Sequence, residues 1–210
     1  MRVLNASRRP IAAWLLSATI FPIANVLLSR VARDTLPLFL DSIFTAIAAA
    51  IFGPWHGILV AVLTNGFYEA FEGFPGLYIP YAVCGAATAL IVWAFVRSGR
   101  YRSALAWGLC IGAVTLATSL LGALIASYVY GGATGMNFDN IVSGFALFTD
   151  SIFTAAFLAR LPINLVDKTL AVAPAFALAA YIAKQGSSGG TEASSNCHPD
   201  EFDGCPGADS

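Results

Sequence analysis

Asp41 and Thr45 stand four residues apart in one hydrophobic segment, and Asn65 and Glu69 repeat that interval in the next. On a helix, residues four apart share a face. A stripe of carboxylate, hydroxyl and amide groups inside an apolar hairpin can orient a polar solute, or another helix, by hydrogen bonds. Catalysis is poorly served. The chain has no GxxxxGK[ST] phosphate loop, no HExxH and no GxSxG elbow, and its only histidines are His56 and His198. No spacing of ligand residues suits a metal ion. The one acid/base arrangement left is Asp41 with Glu69, so the chain reads as a binder and not as an enzyme.

Each of these residues has a plainer alternative. Asp41 could cap a helix and complement its dipole. Glu69 and Glu72 could sit among headgroups, and Asn65 could tie two helices together instead of contacting a ligand. Gly131, Gly132 and Gly135 could merely turn a loop. Asp167 and Lys168 are read either as a mutual ion pair or as an interfacial anchor.

The 210 residues are 58% hydrophobic and 11% charged, with mean hydropathy +0.73. Several apolar runs are long enough to cross a hydrocarbon core of about 30 Å. This defines an all-α, polytopic membrane helix bundle. A net charge of -1 excludes nucleic acid as a partner, since that binding relies on clustered Lys and Arg. Cys84 and Cys110 lie in apolar runs and read as packing residues, whereas Cys197 and Cys205 lie in a polar tail with neither zinc nor CxxC spacing.

The expected organisation is a cytoplasmic N-terminus over 1–10, a membrane-embedded domain over 11–184, and a disordered polar tail over 185–210. Residues 11–28 are read as a retained first helix, with Pro22 a kink point. Further spans are placed at 37–52, 57–71, 80–96, 104–128 and 165–183, with Gly53-Pro54 as a turn and a breaker-rich loop at 73–80. That gives six transmembrane helices, or seven if 138–160 crosses. Arg2, Arg8 and Arg9 at the N-terminus, and Arg97, Arg100 and Arg102 after the fourth span, both belong in the cytoplasm by the positive-inside rule, and the parity of crossings agrees. Trp14, Trp55, Trp93 and Trp107 then form an inner aromatic belt, and Tyr68, Tyr78, Tyr81, Tyr128 and Tyr130 an outer one. The polar stripes and the GGATG loop at 131–135 converge on the outer half.

Small residues at four-residue spacing, Ala46 with Ala50, Gly108 with Gly112 and Gly122 with Ala126, permit close helix approach. The string DSIFTA occurs twice, at 41–46 and 150–155, a weak sign of duplication.

The run LPLFLDSIFTAIAAAIFGPWHGILVAVLTN, followed by GGATG and then by LVDKTLAVAPAFALAAYI, resembles the substrate-binding S component of energy-coupling factor (ECF) transporters over residues 10–184. The resemblance implies a six-helix protein of the bacterial or archaeal cell (inner) membrane that captures a vitamin or similar micronutrient in its outer half. It implies partners as well: a transmembrane coupling protein and a cytoplasmic pair of ATPases, which would consume the ATP, so that this chain needs no cofactor. Such components are thought to topple in the bilayer to release their substrate. Small residues on the first helix commonly contact the coupling protein, and Ala13 and Ser17 are the nearest candidates here. Asp41, Thr45, Asn65, Glu69, Tyr81, Thr134 and Asn137 are expected to line or gate the site, with the carboxylates favouring a cationic or hydrogen-bond-donating compound. A membrane sensor or a small-molecule-binding scaffold without transport would use the same outer pocket.

Overall fold

The computed structural model describes residues 11–35, 38–132 and 139–195. Seven α-helices and no strand occur among them: α1 (Ile11–Thr35), α2 (Ile43–Phe52), α3 (Pro54–Phe71), α4 (Ala82–Arg97), α5 (Ala104–Leu124), α6 (Asp139–Ala146) and α7 (Ile152–Ser195). A π-helical turn, Ile125–Val129, extends α5.

Four helical stretches are long and apolar enough to cross a membrane: Ile11–Ala32, Ile79–Arg97, Ala104–Val129 and Ile152–Gln185. Helix α2 has only 10 residues, about 15 Å at 1.5 Å each, and cannot cross alone. It is joined to α3 by Gly53, whose φ of 105° suits glycine, with Pro54 opening the next helix. The pair therefore folds as the hairpin that the Gly-Pro-Trp turn announced.

Three expectations need correction. The second span is helical from Ile43 and not from 37, since residues 38–42 are non-helical. Asp41 therefore does not share a helical face with Thr45, and the N-cap position belongs to Ser42, whose side chain makes no cap bond. The last span begins at Ile152 and not at 165, running through Pro162 and Pro174. The ambiguous 138–160 stretch is thus split between the 8-residue α6, too short to cross, and the first turns of α7. Finally, not all five tyrosines face outward as a lipid-facing belt would. Tyr68 and Tyr78 are buried, Tyr81 is half-buried, and Tyr128 is exposed.

Beyond Gln185, α7 continues to Ser195 into the stretch expected to be disordered, because extending a formed helix avoids the cost of nucleation. Both copies of DSIFTA open a helix at their isoleucine, Ile43 in α2 and Ile152 in α7.

Alanine and glycine bring the helices close. A Cβ on Gly57 would stand 2.7 Å from Ala49 Cβ and 2.8 Å from Ala89 Cβ, and one on Gly85 would stand 2.7 Å from Ala61 Cβ. These two glycines therefore set the spacing of α3 against α2 and α4. Ala46, Ala50 and Ala126 are buried, while Gly108 and Gly112 face open space. Large apolar side chains cover the outside instead, among them Leu15, Leu16, Leu105 and Leu109, as lipid requires.

Asn25, fully buried on α1, ties three helices together. Its amide nitrogen donates to Thr45 Oγ1 on α2 and to Thr64 Oγ1 on α3, each at 3.2 Å, and its oxygen accepts the Phe44 N–H at 3.0 Å. A buried amide in lipid is tolerated when its groups are bonded in this way.

Candidate functional site

A cavity of about 70 Å³ opens inside the bundle. Its walls come from the 38–42 link, α2, α3, α4, α5 and α7. It lies toward the end of the bundle that holds the 38–42 link and the 72–81 loop. Of the expected site residues, Asp41, Thr45, Asn65 and Tyr81 line it. Asn65 donates its amide nitrogen to Ala61 O in its own helix at 2.9 Å, and its oxygen accepts no hydrogen bond from the described residues. Thr134 and Asn137 lie outside the described residues.

Glu69 is placed differently. It does not line the cavity, and its two oxygens accept four backbone N–H groups from the following loop. Oε1 accepts from Gly76 and from Leu77 at 3.1 Å, and Oε2 accepts from Tyr78 at 2.6 Å and Ile79 at 3.2 Å. The breakers that forbid a helix here leave those donors without carbonyl partners, and one buried carboxylate satisfies them. Tyr130 holds the same loop from the other side, its hydroxyl 3.1 Å from Gly76 O and 2.9 Å from Leu77 O. Burial, and after it the Glu69 charge, pushes the Tyr130 phenol above its usual range, which keeps the proton these bonds need. Arg30 of α1 adds an ion pair to Glu72 at 2.5 Å, half exposed to solvent. The loop is thus a tethered roof. It sends Tyr78 down to stack on Tyr68 at 5.1 Å, while Tyr81 stacks on Tyr130 at 6.1 Å. All but Tyr130 of these four rings face the cavity.

The fourth wall was missed from the sequence. Arg160, Asn164 and Lys168 of α7 line the cavity, and their spacing of four, the same signal as Asp41 and Thr45, marks them as one face of a helix. Asn164 donates to Ser119 Oγ on α5 at 2.9 Å. Lys168 is buried, with its Nζ 2.6 Å from Asp167 Oδ2, 2.8 Å from Ser42 Oγ and 3.9 Å from Asp41 Oδ1. Asp167, wholly buried, also accepts the Leu40 N–H at 2.6 Å. Of the two readings of this pair, the structure shows the ion pair, used to bind α7 to the 38–42 link. Leu40 has a φ of 44°, unfavourable for a branched side chain, and the Asp167 bond holds it there. The link in turn carries Asp41 and Ser42 into the cavity wall.

At the opposite end, Ser17 of α1 is buried, its hydroxyl 2.9 Å from His56 Nε2. It faces α3. Ala13 is half-buried.

What the fold and the cavity define together is a polytopic membrane helix bundle with a polar cavity inside it. The family model of the ECF transporter, substrate-specific component, matches residues 11–179. The chain belongs to that family, and it is accordingly a substrate-binding membrane subunit of an ECF importer, a multi-pass protein that associates with an ECF module. No curated protein and no solved structure matches it.

Proposed function

We propose that this subunit captures a vitamin or a similar water-soluble micronutrient in the cavity beneath the 72–78 loop. In this reading the loop end faces outside and the N-terminus lies in the cytoplasm of a bacterial or archaeal cell, whose inner membrane holds the bundle. The solute passes to the inside through a transmembrane coupling protein, and the ATP is consumed by a cytoplasmic ATPase pair. The carrying observation is a cavity walled by hydrogen-bonding and aromatic side chains within an otherwise apolar bundle, closed above by a loop fastened through Glu69 and Tyr130. A bundle that only filled space would bury hydrocarbon there.

Asp41, Thr45, Asn65 and Tyr81 touch the solute in this reading, Thr134 and Asn137 contribute from the link after Tyr130, and Glu69 gates by holding the roof. Ala13 belongs to the coupling surface, with Ser17 backing it from inside. The test is native mass spectrometry of the protein gently extracted from its own membrane. The expected spectrum shows coupling and ATPase subunits and a retained small molecule, which Asp41→Ala and Asn65→Ala lose at unchanged protein level. A protein that is reproducibly empty and alone, in a membrane that contains the coupling subunits, would refute the proposal.

A further inference from the structure

The charged side chains of the cavity wall face other groups of the protein. Asp167 and Ser42 take the Lys168 ammonium at 2.6 and 2.8 Å, and Asp41 stands 3.9 Å from it. Arg160 bonds Tyr81 Oη and Ala156 O. Glu69, the second acid expected to select a cation, is closed on the backbone of the roof. What the wall offers a solute therefore lies in its neutral groups.

Asn65 is the clearest of these. It is 6% exposed and lines the cavity, and the helix that carries it orients its amide, with the nitrogen 2.9 Å from Ala61 O. A carbonyl only accepts, so the amide cannot turn over without setting oxygen against oxygen. Its own oxygen is left with no hydrogen bond from the described residues. Unlike the sealed, unpaired atoms Ser29 Oγ, His56 Nδ1, Thr115 Oγ1 and Ser127 Oγ, that oxygen keeps open surface, in a residue of the cavity wall. On α5, Thr118 lines the same cavity, and its single hydroxyl proton goes to Val114 O of its own helix at 2.8 Å. What its oxygen presents is lone pairs. A buried acceptor without a donor is costly, and a solute that brings the donor removes the cost.

Resting on the reading of this cavity as the solute site, we infer that the captured compound is recognised through a neutral hydrogen-bond donor, the N–H of a carboxamide, lactam or amino-heterocycle, which Asn65 Oδ1 receives with Thr118 Oγ1 as a further acceptor. The carboxylates that suggested a cation from the sequence face the protein instead, so the donor needs no charge.

The probes are 2-pyrrolidinone and γ-butyrolactone, rings of one shape that differ by an N–H against a ring oxygen, and pyrrolidinium, a cation of the same ring size. Saturation-transfer NMR of the full-length protein in nanodiscs, with empty nanodiscs as the blank, gives a dissociation constant for each. Pyrrolidinone is expected to bind at least about fivefold tighter than butyrolactone, the effect of one buried neutral hydrogen bond, and tighter than pyrrolidinium. Asn65→Leu removes the difference between the two neutral rings. Asn65→Asp keeps an acceptor oxygen whether it ionises or gives its proton to Ala61 O, so it retains the preference for the lactam; loss of that preference in Asn65→Asp would overturn the inference even if the leucine variant failed to fold. Equal binding of lactam and lactone, tighter binding of pyrrolidinium, no binding of any probe, or a lactam preference that survives Asn65→Leu would each overturn it as well. Native mass spectrometry of the same preparation separates the two failures: coupling and ATPase subunits with a retained compound, beside equal binding of the rings, sink only this inference, and a protein found empty and alone sinks the transport reading.

Discussion

Replacing Glu69 with glutamine changes one oxygen to an NH2 group and removes a charge, with almost no change in shape. In the protein the carboxylate accepts four backbone N–H groups, from Gly76, Leu77, Tyr78 and Ile79. The amide retains one oxygen for two of them and turns a donor toward the other two. Two buried donors left facing a donor cost about 1–3 kcal/mol each, so roof closure loses about 2–6 kcal/mol. Residues 72–76 are exposed, so the loss appears as local opening and not as global unfolding. Hydrogen exchange at the four amides, measured in nanodiscs, should accelerate by about thirtyfold to twenty-thousandfold at 1.4 kcal/mol per factor of ten. Exchange in the middle of α5 should not change. Acceleration of less than about threefold at all four sites, well under 1 kcal/mol, would refute the argument that this carboxylate fastens the roof.

Two further outcomes follow from buried polar groups. Asn25→Ala removes three hydrogen bonds that join α1, α2 and α3. At the modest net value of such bonds in membranes it should destabilise the bundle by about 1–3 kcal/mol, read as a lower thermal midpoint in detergent, and an unchanged midpoint would count against the hub. Lys168→Met strands the Asp167 carboxylate in the interior, an error of about 3–5 kcal/mol, so folded yield on size exclusion should collapse. The double variant Asp167→Asn/Lys168→Met should recover much of it, and failure of the single variant to lose yield would show that the pair does not bind α7 to the 38–42 link.

The bundle, its hairpin and its family were legible because hydropathy, the Gly53-Pro54 turn and an ordered set of short motifs are local signals. Asp41, Thr45, Asn65 and Tyr81 were legible as polar groups where lipid would exclude them. The reason given for Asp41 was wrong even so, because a four-residue interval implies a shared face only if the backbone between is helical, and residues 38–42 are not. Glu69 was read as lining or gating the site, and its bonds to the roof were not legible, because sequence does not show which backbone donors a loop leaves unpaired. Arg160 and Lys168 were hidden by their own charge. Arg160 interrupted the apolar run and moved the apparent start of the last span to 165, past Arg160 and Asn164, and Lys168 was read only with Asp167, although the spacing of the three already described a face.

Helices α2 and α7 pack against each other and differ greatly in apolar length. The apolar part of α7, Ile152–Gln185, has 34 residues, about 51 Å if straight, against a hydrocarbon core of about 30 Å. On one side of the protein the lipid chains meet a helix too long for them, and on another a hairpin whose first arm stops halfway. A bilayer cannot match both heights with the bundle upright, and each ångström of mismatch costs a fraction of a kcal/mol. The elastic energy of the surrounding lipid is therefore part of the conformational free energy of this subunit, and acyl-chain length acts on its tilt as a ligand would on its shape.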